Sequence, residues 1–305
     1  MASALLNLNL RCSRTLRACI SEERSHGMPT VKNNMAISDS QVSDNPPLVS
    51  ALKASANQKV SSFHFPGHNR GRAAPSSLTR LIGVQPFLHD LPELPLDSLF
   101  APEGPILGAQ KQAAKLFGAK ETWFLVGGTT CGIQASIMAT CSPGDTLILP
   151  RNSHISAFSA MVLSGVVPKY IIPEYDFDWD IACGITPSQV EKAINELDTE
   201  GRKASAVLIT SPTYHGICSD LEEICRLFNP QGNIINRERI CQCLQTLQST
   251  SPSYLLLASL DAARAQISKK LETIFNKPVE IAMEAKSLIE KIPGIRFFNS
   301  STFEL

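Results

Sequence analysis

Short runs of β-forming apolar residues alternate with helical segments in the middle of this chain, and this alternation restricts the folds open to it. The pattern predicts strands at 123–126, 146–149, 169–172 and 206–210. It predicts helices between them at 132–140, 154–163 and 188–197. Strands this apolar are covered on both faces, and the helices supply the crossovers between them. We therefore expect an α/β fold, a mostly parallel sheet with helices on both faces.

Size and charge exclude several classes of function. The 305 residues suggest about two domains or one large domain, and 43% of them are hydrophobic, enough for a buried core. Lys plus Arg equals Asp plus Glu at 28 each, so no net charge draws the chain to nucleic acid or an anionic membrane. Apolar runs such as 255–258 fall far short of the ~20 residues of a membrane span.

The cysteines do not form a metal-binding pattern. Nine are scattered along the chain without a C-x-x-C pair, and the closest two, Cys241 and Cys243, point different ways on a predicted helix. We therefore expect free thiols, most of them buried, and no metal site.

The first 20 residues have the composition of a transit peptide. Arg11, Arg14 and Arg17 occur there together with serine and leucine, and there is no acidic residue. A plastid is the first destination that this composition suggests and a mitochondrion the second, while a frayed terminus is the structural alternative. A polar linker follows up to residue 45, and folding is predicted to begin with a helix at 47–55.

The chain is predicted to be helical after residue 237. Apolar residues at alternating spacings of three and four from Leu256 to Ile274 predict one long packed helix. Pro278 is expected to end it, a shorter helix is expected at 279–292, and a strand is expected at 294–298.

The motif VGGTTCG at 126–132, the glycine corner, joins a predicted strand to a helix. Its two glycines permit a tight turn, and its hydroxyls and the free N–H groups of the helix suit a phosphate. An ordinary helix start is the alternative, since the motif is neither a dinucleotide fingerprint nor a Walker loop.

Two further polar loops follow predicted strands. RNSH at 151–154 places His154 at a strand end, where a flat imidazole can stack on a flat ring, although a helix-start histidine is the simpler interpretation. SPTYHG at 211–216 follows the next strand and could be an ordinary turn. Since the carboxyl ends of parallel strands share one sheet edge, the three loops predict a single cleft there.

The sequences of these loops resemble those of the ornithine/lysine/arginine decarboxylase family, enzymes with the aspartate aminotransferase fold. The similarity runs from about residue 47 to 228 and resumes from about 232 to 298. The motifs that carry it, in chain order, are FHFPGHNRG at 63–71, HDLPEL at 89–94, DSL at 97–99, FGA at 117–119, the glycine corner, PGD at 143–145, RNSH at 151–154 and SPTY at 211–214.

The resemblance implies a pyridoxal-phosphate-dependent lyase that releases CO2 and an amine from lysine, arginine or ornithine, a step toward polyamines. It assigns the cofactor phosphate to Gly128, Thr129 and Thr130, and it stacks His154 on the pyridine ring. Ile155 departs from the lysine that the family often has. The resemblance further places a set of residues at the cleft: His64, His68, Ser211, Thr213 and Tyr214. STSPSY at 249–254 resembles a segment near the family's subunit boundary, which implies a homodimer.

A block that the family carries between its two matching parts is absent from this sequence. The family has an aspartate for the pyridine nitrogen and a Schiff-base lysine after a histidine, whereas none of the 14 lysines here follows a histidine. The segment at 220–228 runs instead through 229–232 into a stretch that resembles the family's sequence beyond that lysine.

The absent block leaves two hypotheses of function. The first is the family's decarboxylase, impaired by the loss of its cofactor anchors. The second is a non-catalytic, truncated isoform that binds a full-length subunit. The predicted domains are a transit peptide and linker at 1–45, a cofactor-binding part at 46–228, and a helical segment with the start of a truncated small domain at 229–305. Loss of the middle strands predicts a sheet with an open edge.

Overall fold

The computed structural model describes residues 5–7, 45–58, 67–90, 97–228, 236–296 and 298. Most of the predicted transit peptide and His64 lie outside the described residues. The contacts within the chain define two units. The described residues of Ser3–Val126 and Ser249–Leu271 form the first unit, and those of Gly127–Gln248 and Glu272–Leu305 form the sheet unit. The predicted domain boundaries stay a prediction.

The strands are β1 (Leu5–Asn7), β2 (Thr122–Phe124), β3 (Thr146–Pro150), β4 (Val167–Ile171), β5 (Tyr175–Asp176), β6 (Ile181–Ala182) and β7 (Ala204–Val207). The helices are α1 (Pro47–Asn57), α2 (Ser76–Ile82), α3 (Gln85–His89), α4 (Pro105–Leu116), α5 (Gly128–Thr140), α6 (Ile155–Ser164), α7 (Pro187–Thr199), α8 (Leu221–Phe228), α9 (Arg237–Leu247) and α10 (Tyr254–Ile289).

The sheet unit confirms the α/β class. Its three-stranded sheet has the order β4-β3-β7, and both pairs are parallel. All five residues of β3 are buried, as the central strand of a sheet covered on both faces requires. Leu147 and Leu149 pack with residues of α5 and α6 on one face, and Ile148 packs with residues of α7 and α8 on the other.

The helices α7 and α9 of the sheet unit begin with side-chain caps. Thr186 and Gln189 form a reciprocal capping box at the start of α7, and Asn236 caps α9 by accepting the N–H of Arg239. Arg239 in turn donates to the Cys141 carbonyl over 2.7 Å, which ties α9 to the end of α5. α9, which follows the point where the family similarity resumes, is therefore anchored on α5, the helix that begins at the glycine corner.

One strand does not lie where the sequence predicts it. The predicted strand at 123–126 is observed as β2, but it pairs antiparallel with β1 in the first unit and is not in the parallel sheet. β1 comes from within the predicted transit peptide. The expectation of one sheet for all four strands was wrong, because β7 has no further strand beside it among the described residues that could lead across to β2.

The first unit is built around apolar side chains of its helices. Leu48, Ile106 and Leu257 are fully buried together, which brings α1, α4 and α10 to one core. Asp261 is also fully buried in this unit, and its carboxylate accepts the N–H groups of Leu48 and Val49 over 2.9 and 3.4 Å. Since α1 has no cap of its own, α10 supplies one from a distant part of the chain.

The C-terminal helix is longer than predicted. α10 continues through Pro278 to Ile289, so the expected division into two helices was wrong. A proline removes one helical hydrogen bond but does not always end a helix. The strand expected at 294–298 is not formed at Gly294–Arg296, which lie in a turn and the irregular chain after it. None of the helices in the described part of the chain is long and apolar enough to cross a membrane.

Candidate functional site

A cavity of about 400 Å³ lies in the sheet unit, at the edge where β3 and β7 end. Pro150 from the end of β3 and Thr210, a few residues beyond β7, both line it. The polar residues of the predicted loops that line it are Thr129, Thr130, Asn152, His154, Ser156, Thr213, Tyr214 and His215. The structure therefore brings the three predicted loops to one cavity. The loops after β3 and β7 meet there because these strands are parallel, whereas the glycine corner reaches it through α5, which packs on β3.

The glycine corner supplies the start of α5. Gly128, the first residue of the helix, has φ +73°, a conformation that favours glycine. Apart from its chain neighbours and the backbone of its own helix, no heavy atom lies within 4 Å of the position that a Cβ would take there. Thr129 and Thr130 follow in the first helical turn and are exposed, and their hydroxyls have no hydrogen-bond partner among the described residues. Their hydroxyls and the free N–H groups of this turn are therefore available to an anion.

His154 lines the cavity and also begins a helix. Its Nδ1 accepts the N–H of Ser156 over 3.2 Å and lies 2.9 Å from the Ser156 hydroxyl, which makes it the cap of α6. In a neutral ring this pairing leaves the proton on Nε2. The simpler interpretation of His154 is thus correct, and the same hydrogen bonds fix the ring at the cavity wall.

The loop after β7 is a turn closed by its own side chains. Thr213 accepts the N–H of Ile217 on its hydroxyl over 3.2 Å and donates its own N–H to the Ile217 carbonyl. Tyr214, at the tip, is 92% exposed. Thr213 therefore shapes the loop as well as lining the cavity, while Tyr214 is held only by the backbone.

Several predicted site residues are not at the cavity. Ser211 does not line it, and its hydroxyl accepts the N–H of Ser219. His68 lies in the other unit, where Nδ1 accepts the N–H of Gly71 and Nε2 lies 3.6 Å from Asp90. Ile155, the departure from the family pattern, is exposed and does not line the cavity either.

One wall of the cavity was missed by sequence reasoning. Ala182 to Ile185, which begin at the end of β6, line it. Cys183 is buried there, and its N–H donates to the Glu174 carbonyl. Burial, with Asp176 and Glu174 nearby, raises the pKa of the Cys183 thiol. No periodicity marks this segment, because it lies at the end of the two-residue strand β6 and in the irregular chain that leads to α7.

Among the described residues, no strongly charged side chain lines the cavity. Its ionisable groups are the imidazoles of His154 and His215, the phenol of Tyr214 and the thiol of Cys183, and no Lys, Arg, Asp or Glu is among its described lining residues. Lys169, on β4, is paired with Glu196 over 2.8 Å and is not at the cavity. An anion in this cavity would be held by N–H and hydroxyl groups.

Thiol labelling tests the burial of this wall. At about pH 8, iodoacetamide is expected to label the exposed Cys218 at least about tenfold faster than Cys183, because the thiolate is the reacting form and burial suppresses it. Peptide mass spectrometry on a time course measures both rates. Equal rates would contradict the buried position of Cys183.

The fold and the cavity define a class: α/β proteins that hold a ligand at the carboxyl edge of a parallel sheet. A comparison with protein families makes this specific. The profile described as Orn/Lys/Arg decarboxylase, major domain, matches residues 46–233 and 226–304, so the chain belongs to that family.

Curated relatives and solved structures agree with the family. The chain is 32% identical to the arginine decarboxylase of Bacillus subtilis (strain 168), covering 82% of this chain and 61% of that protein, and 29% identical to the one of Bacillus anthracis. It thus spans about 60% of the length of these relatives. The fold is similar to that of the Francisella novicida lysine decarboxylase, with a TM-score of 0.74 at 20% identity over 84% of this chain and 45% of the other.

The comparisons also agree with the absence of family sequence from this chain. The alignment with the Bacillus subtilis protein has 302 positions, whereas 82% of 305 residues is about 250, so about 50 positions have no residue of this chain opposite them. The two segments of the family match meet and overlap at 226–233. Both findings agree with a family block that is absent near residue 229.

Proposed function

We propose that this chain is a decarboxylase-family protein that binds the phosphate end of pyridoxal phosphate reversibly and does not catalyse decarboxylation. The observation that carries the proposal is the composition of the cavity wall. It keeps unpartnered N–H and hydroxyl groups at the glycine corner, and no amine or carboxylate lines it in the described part of the chain.

The phosphate end of the cofactor fits the residues present. Gly128 leaves space beside the backbone, and the first turn of α5 offers N–H groups together with the hydroxyls of Thr129 and Thr130. A 13-residue helix also directs the positive end of its dipole at this point. His154, fixed by Ser156, offers a flat ring to the cavity and would hold the pyridine by stacking.

The remainder of the cofactor does not find the partners that the family provides. Covalent attachment needs an amine, and protonation of the pyridine nitrogen is sustained by a carboxylate. Neither group lines the cavity in the described part of the chain, and Lys169 is held by Glu196 elsewhere. The residues present therefore support binding at the phosphate end and leave the reactive end unsupported.

The names of the relatives indicate the reaction that this kind of site carries out in the family. Relatives are named arginine decarboxylase or lysine decarboxylase, so the ancestral substrate is a basic amino acid that gives CO2 and an amine. The bound cofactor supplies the electron sink for that reaction. We further propose that the first 20 residues direct the chain to a plastid, with a mitochondrion as the alternative, on the composition of its N-terminus.

Removing the threonine hydroxyls is expected to weaken phosphate binding. We expect Thr129→Val and Thr130→Val each to raise the dissociation constant for pyridoxine 5′-phosphate about 10- to 100-fold, the effect of one hydrogen bond to a charged group. Pyridoxine phosphate has no aldehyde, so reaction with surface lysines does not contribute. Isothermal calorimetry measures the binding.

Thr140→Val is the matched control, because Thr140 lies at the other end of α5 and its hydroxyl donates to the Ser136 carbonyl. It is expected to bind like the unaltered chain. Pyridoxine without phosphate is expected to bind weakly to all variants. If the phosphate makes no difference, or if the three substitutions act alike, the proposed role of the glycine corner is wrong.

A second function is a non-catalytic subunit that pairs with a full-length sibling. The gap of about 50 aligned positions favours it, since a chain without the block would still present the segment at 249–254, which resembles the family's subunit boundary. Co-expression of this chain with a tagged full-length sibling tests it. Recovery of both chains in one complex supports the pairing, and separate elution contradicts it.

A further inference from the structure

The two edge strands of the parallel sheet differ in how well they are protected. In the order β4-β3-β7, both β4 and β7 have one neighbour among the described strands. β4 carries Pro168, which has no N–H to offer, and Lys169, whose charge is held by Glu196 on α7. Prolines and lysines are the residues that block edge-to-edge pairing of sheets.

β7 has no such protection. Residues 204–210 read ASAVLIT, without a charge or a proline. The backbone donates from Leu208 to the Ile148 carbonyl over 2.8 Å, so the N–H and C=O groups of Leu208 face β3. Because these groups alternate in direction along a strand, those of Val207 and Ile209 face away from β3, toward the open edge.

The open edge is complementary to a second copy of itself. An antiparallel pair centred on Val207 would place Val207 opposite its equivalent and Leu208 opposite Ala206. Val207 packs on the face of the sheet that α7 and α8 cover, while Ala206 and Leu208 pack on the face of α5 and α6. Each apolar face would therefore continue into the same face of the second copy, which fixes the register.

We propose that two copies of this chain associate through β7, forming one six-stranded sheet across a two-fold axis at Val207. The β7 strand of a second copy fits the open edge, because its backbone hydrogen bonds satisfy the outward N–H and C=O groups. This pairing also keeps the two apolar faces in register. The proposal does not depend on cofactor binding, since none of the residues 204–209 lines the cavity.

The experiment is sedimentation velocity over a range of protein concentrations, with variants at both edges. The unaltered chain is expected to sediment as a monomer–dimer equilibrium. Val207→Pro removes the central outward N–H, and Ser205→Lys adds a charge at an exposed position of the edge. Val207→Pro is expected to raise the dimer dissociation constant about tenfold or more, the factor for the two hydrogen bonds that the pair of copies loses. Ser205→Lys is also expected to raise the dimer dissociation constant, because a charged lysine on a strand edge opposes edge-to-edge pairing.

Val167→Lys is the matched control, because it adds the same charge to the protected edge strand β4, where Val167 is exposed. It is expected to leave the equilibrium unchanged. Circular dichroism tests folding, and if Val207→Pro does not fold, Ser205→Lys alone decides the result. A monomer at all concentrations, or a dimer that Ser205→Lys weakens no more than Val167→Lys does, would overturn the proposal.

Discussion

Purified protein supplied with pyridoxal phosphate is expected to release carbon dioxide from arginine, lysine or ornithine no faster than the free cofactor does. Enzymes of this kind gain many orders of magnitude from positioning and from the electron sink of the cofactor. This chain lacks an amine and a carboxylate among the described residues of its cavity, so we expect a rate at least about 10⁴-fold below that of a full-length relative.

Release of labelled carbon dioxide from each of the three amino acids measures this rate. The arginine decarboxylase of Bacillus subtilis, assayed in parallel, shows that the conditions support the reaction. Substrate-dependent release within about tenfold of that enzyme would show that the chain has a catalytic arrangement that its cavity does not reveal.

Replacement of Asp261 by alanine is expected to destabilise the first unit by about 3–5 kcal/mol. Asp261 is fully buried, and its carboxylate accepts hydrogen bonds from two N–H groups at the start of α1. It also accepts a hydrogen bond from Arg264 Nη2 over 2.8 Å. Its removal leaves Arg264, which is 2% exposed, as a buried charge without its carboxylate. The start of α1 loses its cap in the same step.

Urea unfolding measures this loss. The chain has two tryptophans, so in a Trp179→Phe background the fluorescence of Trp123 reports on the first unit alone. The double replacement Asp261→Leu with Arg264→Met removes both charges and is expected to recover much of the stability, since apolar residues can substitute for a buried ion pair. A loss below about 1 kcal/mol in Asp261→Ala would show that the pair is dispensable.

The sheet and its helices were predictable because their signals are local. β3 is an unbroken apolar run, and α7 begins with a threonine cap, so period and capping residues fix both elements. The meeting of the His154 and Thr213 loops then follows from the parallel pairing of β3 and β7, whereas the Thr129 loop joins them through α5, which packs on β3. Two loops of the cavity and the residues on them were therefore predictable from the sequence, whereas their roles in binding stay a prediction.

The predictions that failed depend on contacts between distant parts of the chain, which local sequence patterns do not reveal. The pairing of β2 with β1 depends on which strands are present elsewhere, and the passage of α10 through Pro278 depends on its surroundings. Ser211 carries a hydroxyl as Thr213 does, but the geometry of the loop directs that hydroxyl to the N–H of Ser219 and not to the cavity. Cys183 reaches the cavity only because a hairpin returns it there.

Borohydride reduction in the presence of pyridoxal phosphate tests most directly the claim that the chain binds the cofactor without a covalent anchor. The protein is mixed with the cofactor, reduced, digested and mapped by mass spectrometry, with pyridoxine phosphate as a competitor for the cavity. We expect only scattered, substoichiometric labelling of lysines that pyridoxine phosphate does not suppress. Stoichiometric labelling of a single lysine that the competitor abolishes would contradict the account.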